Sequence, residues 1–156
     1  IIDILYDRIE EKPNEKPITQ RIIAKKEYLK IAKKRRVTKK QRRKAIKKQL
    51  QYINRNLGHI ERLQTSGAKL EWLNNQQYKM LLVVATVYQQ QLSMYENKHQ
   101  RVDDRIVSLT QPHIRPIVRG KAGTPVEFGA KVSVSYHTGY VFIDRLRWDN
   151  FNRPLA

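Results

Sequence analysis

Cysteine and long apolar runs are both missing from the 156-residue chain. Without cysteine, neither a disulfide framework nor a thiolate metal site can form, and zinc fingers are excluded with them. The most apolar run, residues 80–84, is far too short to cross a bilayer, and the first residues do not resemble a secretory leader. We therefore expect a soluble, unexported protein that stays in the cytoplasm and has no membrane partner.

Acidic residues are scarce compared with basic ones. The chain has 32 Lys and Arg against 14 Asp and Glu, which gives a formal net charge of +18. Residues 28–60 contain thirteen Lys or Arg and no acidic residue. An excess of this size attracts polyanions, of which nucleic acid is the commonest inside cells and anionic membrane surfaces come next. Polyanion binding is thus the first functional expectation.

The positive charge is concentrated in one stretch, which we call the basic track. Its members are Lys33, Lys34, Arg35, Arg36, Lys39, Lys40, Arg42, Arg43, Lys44, Lys47 and Lys48. A charge run is usually a solvated helix face, but like charges four residues apart each cost about 0.2–0.5 kcal/mol, and bound phosphates would remove that repulsion. We therefore assign the basic track to DNA binding, mainly to the phosphate backbone. Arg115, Arg119 and Lys121, in a later segment, are further DNA-binding candidates.

Proline and threonine mark the predicted helix ends. Pro13 and Pro17 interrupt an opening helix. Thr19 is predicted to cap a second helix that runs to about Arg36, and Thr38 to cap a third. A threonine hydroxyl suits both positions because it can accept a hydrogen bond from an unpaired amide of the first turn.

Apolar residues at helical spacing predict two long helices that pack together. The first stripe consists of Ile46, Leu50, Ile53, Leu57 and Ile60. After a break at Ser66 and Gly67, the second consists of Leu70, Leu73, Leu81, Val84, Tyr88, Leu92, Tyr95 and Val102. Three-four spacing places each stripe on one side of its helix, so the simplest arrangement is an antiparallel helical hairpin. Such a stripe also permits self-association.

Beyond Ile106 the residues change to those of turns and strands. Prolines and glycines predict a connecting loop over residues 107–129. Alternating apolar residues then predict a β-hairpin whose strands flank His137-Thr138-Gly139. Two strands are marginal alone, so we expect them to belong to a larger sheet. The predicted fold class is α+β, with a helical region in residues 1–106, the loop, and the hairpin in residues 130–156.

The order of residues in the second half resembles one protein family. The matching stretches are residues 104–109, residues 111–123, residues 126–131, Arg145 and Trp148-Asp149-Asn150-Phe151-Asn152. Upstream, the basic helices with Tyr52-Ile53, Val87-Tyr88 and Met94-Tyr95 fit the helical insertion of the same family. In the order of these residues, the chain resembles insertion-sequence transposases of the DDE superfamily, whose catalytic core is RNase H-like.

The resemblance implies DNA transposition by metal-dependent phosphoryl transfer in the intact family. There, three acidic residues hold two divalent metals, expected to be Mg²⁺, near the scissile phosphate. The family's first aspartate precedes the segment present here, and the second aspartate and the glutamate follow it. None maps onto this chain, so we assign it no catalytic residue, no metal ligand and no cofactor of its own. We expect an internal, truncated piece that binds DNA without cutting it.

The remaining acids and histidines have ordinary explanations. Asp103 and Asp104 lie near a predicted helix end, Asp144 can pair with a neighbouring Arg, and Asp149 can cap a following helix. The four histidines do not have the spacing of a metal site.

A stand-alone basic coiled-coil protein that packages nucleic acid is the alternative. It predicts cooperative thermal unfolding. The transposase-fragment hypothesis predicts poor cooperativity, because the β-hairpin would lack its neighbouring strands and expose sheet edges.

A melting curve followed by circular dichroism separates the two hypotheses: a single sharp transition would contradict the fragment hypothesis.

Overall fold

The computed structural model describes residues 1–118 and 126–148. Four helices and two antiparallel two-stranded sheets form this described part, which confirms the predicted α+β class. The elements are α1 (Ile2–Arg8), α2 (Arg21–Ala32), α3 (Lys39–Thr65), a 3₁₀ turn (Leu70–Trp72), α4 (Asn75–Glu96), β1 (Pro116–Val118), β2 (Val126–Phe128), β3 (Lys131–His137) and β4 (Tyr140–Arg147). The chain divides into two compact units, Ile1–Gln100 and Arg101–Ala156.

Helices α3 and α4 both begin with a capping box. The Thr38 hydroxyl accepts from the Gln41 amide at 3.2 Å, and the Gln41 side chain accepts from the Thr38 amide at 3.3 Å. Asn74 and Gln77 repeat the exchange at the start of α4, at 2.9 and 3.1 Å. Each pair satisfies two amides that the first turn leaves unpaired. The predicted Thr38 cap is therefore confirmed, and the 27-residue α3 has a fixed start.

The second helix differs from its prediction at both ends. The Thr19 cap is wrong: the N-cap residue is Gln20, with φ of 50° and no side-chain capping bond. The Thr19 carbonyl instead accepts a hydrogen bond from Arg55 of α3 at 3.0 Å. The helix also ends at Ala32 rather than near Arg36. Because α2 packs against α3, the chain has to reverse within residues 33–38, which leaves the first basic residues outside a helix.

The core of the first unit forms where α1 meets the end of α3. Its buried residues are Ile2, Leu5, Ile9, Ile60, Leu63, Ala68 and Leu73. Leu5 and Leu63 are the most enclosed, at 0% and 1% exposure. After α3 the chain turns through Gly67, whose φ of 96° favours glycine, and the Ala68 amide donates to the Leu63 carbonyl at 2.9 Å. This turn returns Ala68 and Leu73 to the same core.

The second unit contains two separate antiparallel strand pairs. β1 pairs with β2 inside the segment predicted as a loop, and β3 pairs with β4. Thr138 and Gly139 join β3 to β4 with φ of 47° and 88°, as a two-residue type I′ turn requires. The register shifts by one residue beside Val134, which leaves Asp144 of β4 as a bulge.

The β3–β4 pair exposes much of its apolar surface. Large side chains from both strands are more than half exposed, and they are Val132, Val134, Tyr136, Tyr140, Val141, Phe142, Ile143 and Leu146. Isolated pairs of strands are marginally stable in water. In the described part of the second unit the only large apolar side chain with nearly complete burial is Ile117, at 5% exposure.

Truncation of Leu63 tests the core of the first unit. Because Leu63 is 1% exposed, Leu63→Ala removes packing on all sides and should lower the free energy of unfolding by about 2–5 kcal/mol. Leu82→Ala is the matched control, since Leu82 is 51% exposed and its loss should change stability by no more than about 0.5 kcal/mol. Urea unfolding followed by circular dichroism measures both. Equal effects of the two substitutions would contradict this core.

Candidate nucleic-acid interface

Helix α3 uses two of its faces for packing. On the side of α2, the Gln49 amide donates to the Ala24 carbonyl at 3.1 Å, and Lys48 pairs with Glu27. On the side of α4, Leu50 is buried and Arg43 contacts Tyr95 near the end of that helix. These contacts account for two faces in the first half of α3 and leave a third exposed, whose edge at Lys44 borders a groove against Glu27 and Lys30 of α2.

The uncovered face carries three lysines of the basic track. Lys40, Lys44 and Lys47 are spaced four and three residues apart, so they lie above one another on one side of α3. All three are exposed. Among the described residues none of them forms an ion pair. We call these three residues the lysine row.

The connection between α2 and α3 supplies a second group of cations. Lys33, Lys34, Arg35 and Arg36 are all exposed, and so is Lys39 in the first turn of α3. In residues 1–118 and 126–148 none of these five has a carboxylate partner. The reversal of the chain places this group at the same end of α3 as Lys40.

Two other members of the basic track have structural contacts, and a third borders a groove. Arg43 donates to the Tyr95 carbonyl at 2.9 Å and lies 4.0 Å from the centre of its ring. Arg42 borders an apolar groove of about 400 Å³ between α2, α3 and α4. Lys48 is 2.6 Å from the Glu27 carboxylate. Sequence alone did not separate these residues from the lysine row.

The Glu27–Lys48 pair ties α2 to α3. The hydrogen bond from Lys48 is the main reason that the pKa of Glu27 lies below its usual value, and Glu27 in turn raises the pKa of Lys48. Tyr52 donates to the other carboxylate oxygen at 3.0 Å. Burial and that hydrogen bond raise the pKa of Tyr52. The Glu27 carboxylate of α2 thus binds both the Lys48 ammonium and the Tyr52 hydroxyl of α3.

Of the three later candidates, only Arg115 lies among the described residues. Arg115, in the second unit, donates to the carbonyls of Pro112 and, at 3.3 Å, Ile114. Its Nε also lies 3.8 Å from Asp104. These bonds orient the guanidinium within its own loop. Arg119 and Lys121 lie outside the described residues.

Further exposed basic residues lie on α2, outside the basic track. Lys25, Lys26 and Lys30 are exposed and, with Lys33 and Lys34, border a shallow surface that includes Ile22 and Leu29. Ile22 is 78% exposed. The signal was present in the sequence as the three-four spacing of lysines before the basic track.

The described acids do not assemble a metal site. No group of three or more His, Cys, Asp or Glu side chains in residues 1–118 and 126–148 could hold a metal ion. Asp104 faces Arg115, and Asp144 accepts a hydrogen bond from the Ser135 hydroxyl at 2.8 Å instead of the expected pairing with Arg. Asp149 lies outside the described residues. The described donor sets therefore do not fit a divalent metal, and no metal-dependent step is assigned to them.

Comparisons of the chain with protein-family models, curated proteins and solved structures gave no match. Among the described helices, none combines the length and the apolar character that a membrane span needs.

Acid titration tests the Glu27 contact. Because the folded pKa of Glu27 lies below the usual 4.5, the pair stabilises the fold above that pH, and this contribution is lost as the pH falls through the folded pKa. Glu27→Gln should therefore lower stability at neutral pH, and its difference from the wild type should shrink in acid. Glu61→Gln, an exposed change on α3, is the control and should follow the wild type. Urea unfolding at several pH values measures this, and a pH-independent difference would contradict the assignment.

Proposed function

We propose that this chain binds duplex DNA through the phosphate backbone, with the lysine row of α3 and the cations of residues 33–36 as the contact surface. The observation that carries the proposal is the exposure of these side chains without any acidic partner in the described structure. Repulsion among them is relieved when phosphates replace the missing carboxylates.

The chemistry of the surface favours phosphate contacts over base reading. Lysine is a compact point charge on a flexible stem, so it binds phosphate oxygens without selecting a base. From Lys40 to Lys47 the row extends about 10 Å along the helix, at 1.5 Å per residue. A surface of that length reaches several phosphates, because duplex DNA carries one charge per about 1.7 Å of its axis.

We further propose that the chain is part of a DDE transposase, as its resemblance implies. The contact of Arg43 near the start of α3 with Tyr95 near the end of α4 supports an antiparallel helical hairpin as the insertion region. The exposed apolar side chains of β3 and β4 support their membership of a larger, RNase H-like sheet. DNA cleavage and joining, with Mg²⁺, belong to the intact family. This chain contributes DNA binding alone.

The packaging-protein alternative also has an observation in its favour. Residues of the first unit enclose their own core, with Leu5 and Leu63 almost fully buried. A basic helical unit that folds by itself would suit nucleic-acid packaging as well. The cooperativity of unfolding described above distinguishes the two proposals, since both share the same basic surface.

Salt dependence of DNA affinity tests the lysine row. A triple variant, Lys40→Gln, Lys44→Gln and Lys47→Gln, removes up to three phosphate contacts. The slope of log affinity against log salt should therefore become shallower by about 2–3, at about 0.9 per contact. Fluorescence anisotropy with a labelled duplex, at salt concentrations of about 50–200 mM, measures the slope.

A matched variant controls for the loss of net charge. Lys69→Gln, Lys79→Gln and Lys98→Gln remove three exposed lysines from the same unit outside the proposed surface. This variant should keep a slope close to that of the wild type. If the two triple variants have the same slope, or if the wild-type affinity does not depend on salt, the proposed surface is wrong.

A further inference from the structure

A cleft lies beside the second half of α3, away from the lysine row. Its volume is about 630 Å³. Arg55, His59 and Arg62 of α3 line one wall at intervals of four and three residues, and the segment from Pro13 to Gln20 lines the other. Three nitrogen-bearing side chains of one helix thus face one cavity.

Arg55 is fixed in this cleft but does not use all of its donors. One terminal nitrogen donates to the Thr19 carbonyl at 3.0 Å, and the guanidinium lies 5.5 Å from the centre of the Tyr52 ring. Its Nε atom is buried and has no hydrogen-bond partner among the described residues. A buried donor without an acceptor destabilises the fold, so an acceptor in the cleft would stabilise the protein.

His59 and Arg62 form a second pair of donors. The Arg62 terminal nitrogen lies 2.7 Å from His59 Nδ1, and it has to be the donor because a guanidinium has no acceptor atom. His59 Nδ1 is therefore unprotonated, which places the imidazole proton on Nε2. Nε2 is buried and has no partner of normal hydrogen-bond geometry in the described structure, although a weaker interaction with the Ile18 backbone raises the pKa of His59.

The charges around His59 are mainly positive. Burial lowers the pKa of His59, the charges of Arg62 and Arg55 lower it further, and the backbone of Ile18 partly offsets this. Lys16 also lines the cleft, but it is already paired with Asp3 at 3.1 Å and with Asp7 at 3.3 Å.

One carboxylate borders the cleft. Glu15 is exposed, and among the described residues it forms no ion pair with either arginine. The two guanidinium groups therefore lack a carboxylate partner in the described structure.

We infer that this cleft binds a single phosphate group through Arg55, His59 and Arg62. A tetrahedral phosphate presents oxygens in several directions and so suits donors that come from three side chains, whereas a carboxylate offers two oxygens in one plane. The volume leaves room for a group attached to the phosphate. The inference depends only on the cleft, so it stands even if the lysine row does not bind DNA.

Nuclear magnetic resonance of the arginine Nε–H groups tests the inference with inorganic phosphate as the probe. The Arg55 signal should shift and saturate as phosphate is added. Arg62→Gln replaces an exposed, charged guanidinium by a neutral amide and should weaken phosphate binding at least fivefold. Arg101→Gln is the control, because it removes the same charge from an exposed position outside the cleft and should bind like the wild type.

Two further arms define the ligand and protect the test against misfolding. If the phosphate that the cleft binds belongs to a nucleic-acid backbone, dimethyl phosphate should also saturate the Arg55 signal. If the cleft binds free phosphate, only inorganic phosphate should saturate the signal. Acetate at equal ionic strength should not saturate it. Phosphate should also raise the melting temperature of the wild type above that in chloride, because it binds the folded state. Each of four results would overturn the inference. They are an Arg55 shift that does not saturate, phosphate binding by Arg62→Gln as tight as that of the wild type, saturation by acetate, and a melting temperature that phosphate does not change.

Discussion

The first half of helix α3 packs against α2 and α4, and this packing determines which of its cations have partners. Lys48 faces α2 and pairs with Glu27, while Arg43 faces α4 and stacks on Tyr95. Lys40, Lys44 and Lys47 lie between these contacts and are exposed to solvent, with Lys44 also bordering a groove against α2. A run of basic residues that looks uniform in the sequence is therefore divided by packing into structural contacts and a surface suited to phosphate.

Local signals in the sequence were sufficient for part of this arrangement. The hydroxyl of Thr38 needs only Gln41, three residues later, so its cap could be predicted from neighbouring residues. The roles of Lys48 and Arg43 could not, because their partners are 21 and 52 residues away in the chain. The Thr19 cap is wrong because the helix begins later, with Gln20 as its N-cap residue. The Thr19 carbonyl accepts a hydrogen bond from Arg55, 36 residues away, and such a distant contact has no local signal in the sequence.

The second unit has the opposite character to the first. Its strands form with the expected alternation and turn, but Tyr136, Tyr140 and Ile143 are each about 70% exposed, so pairing alone does not enclose a core. Strand alternation and a type I′ turn are local properties, whereas the surface that buries a sheet comes from other segments. The proposed membership of a larger sheet follows from this contrast.

We propose that DNA contacts the exposed side of α3 that carries the lysine row. The most direct measurement is the change in the lysine side-chain signals of the isotope-labelled protein, by nuclear magnetic resonance, as duplex DNA is added at low salt. Lys40, Lys44 and Lys47 should shift together and saturate, while the exposed Lys79 of α4 should change little. Shifts spread equally over all exposed lysines, or largest on α4, would contradict it.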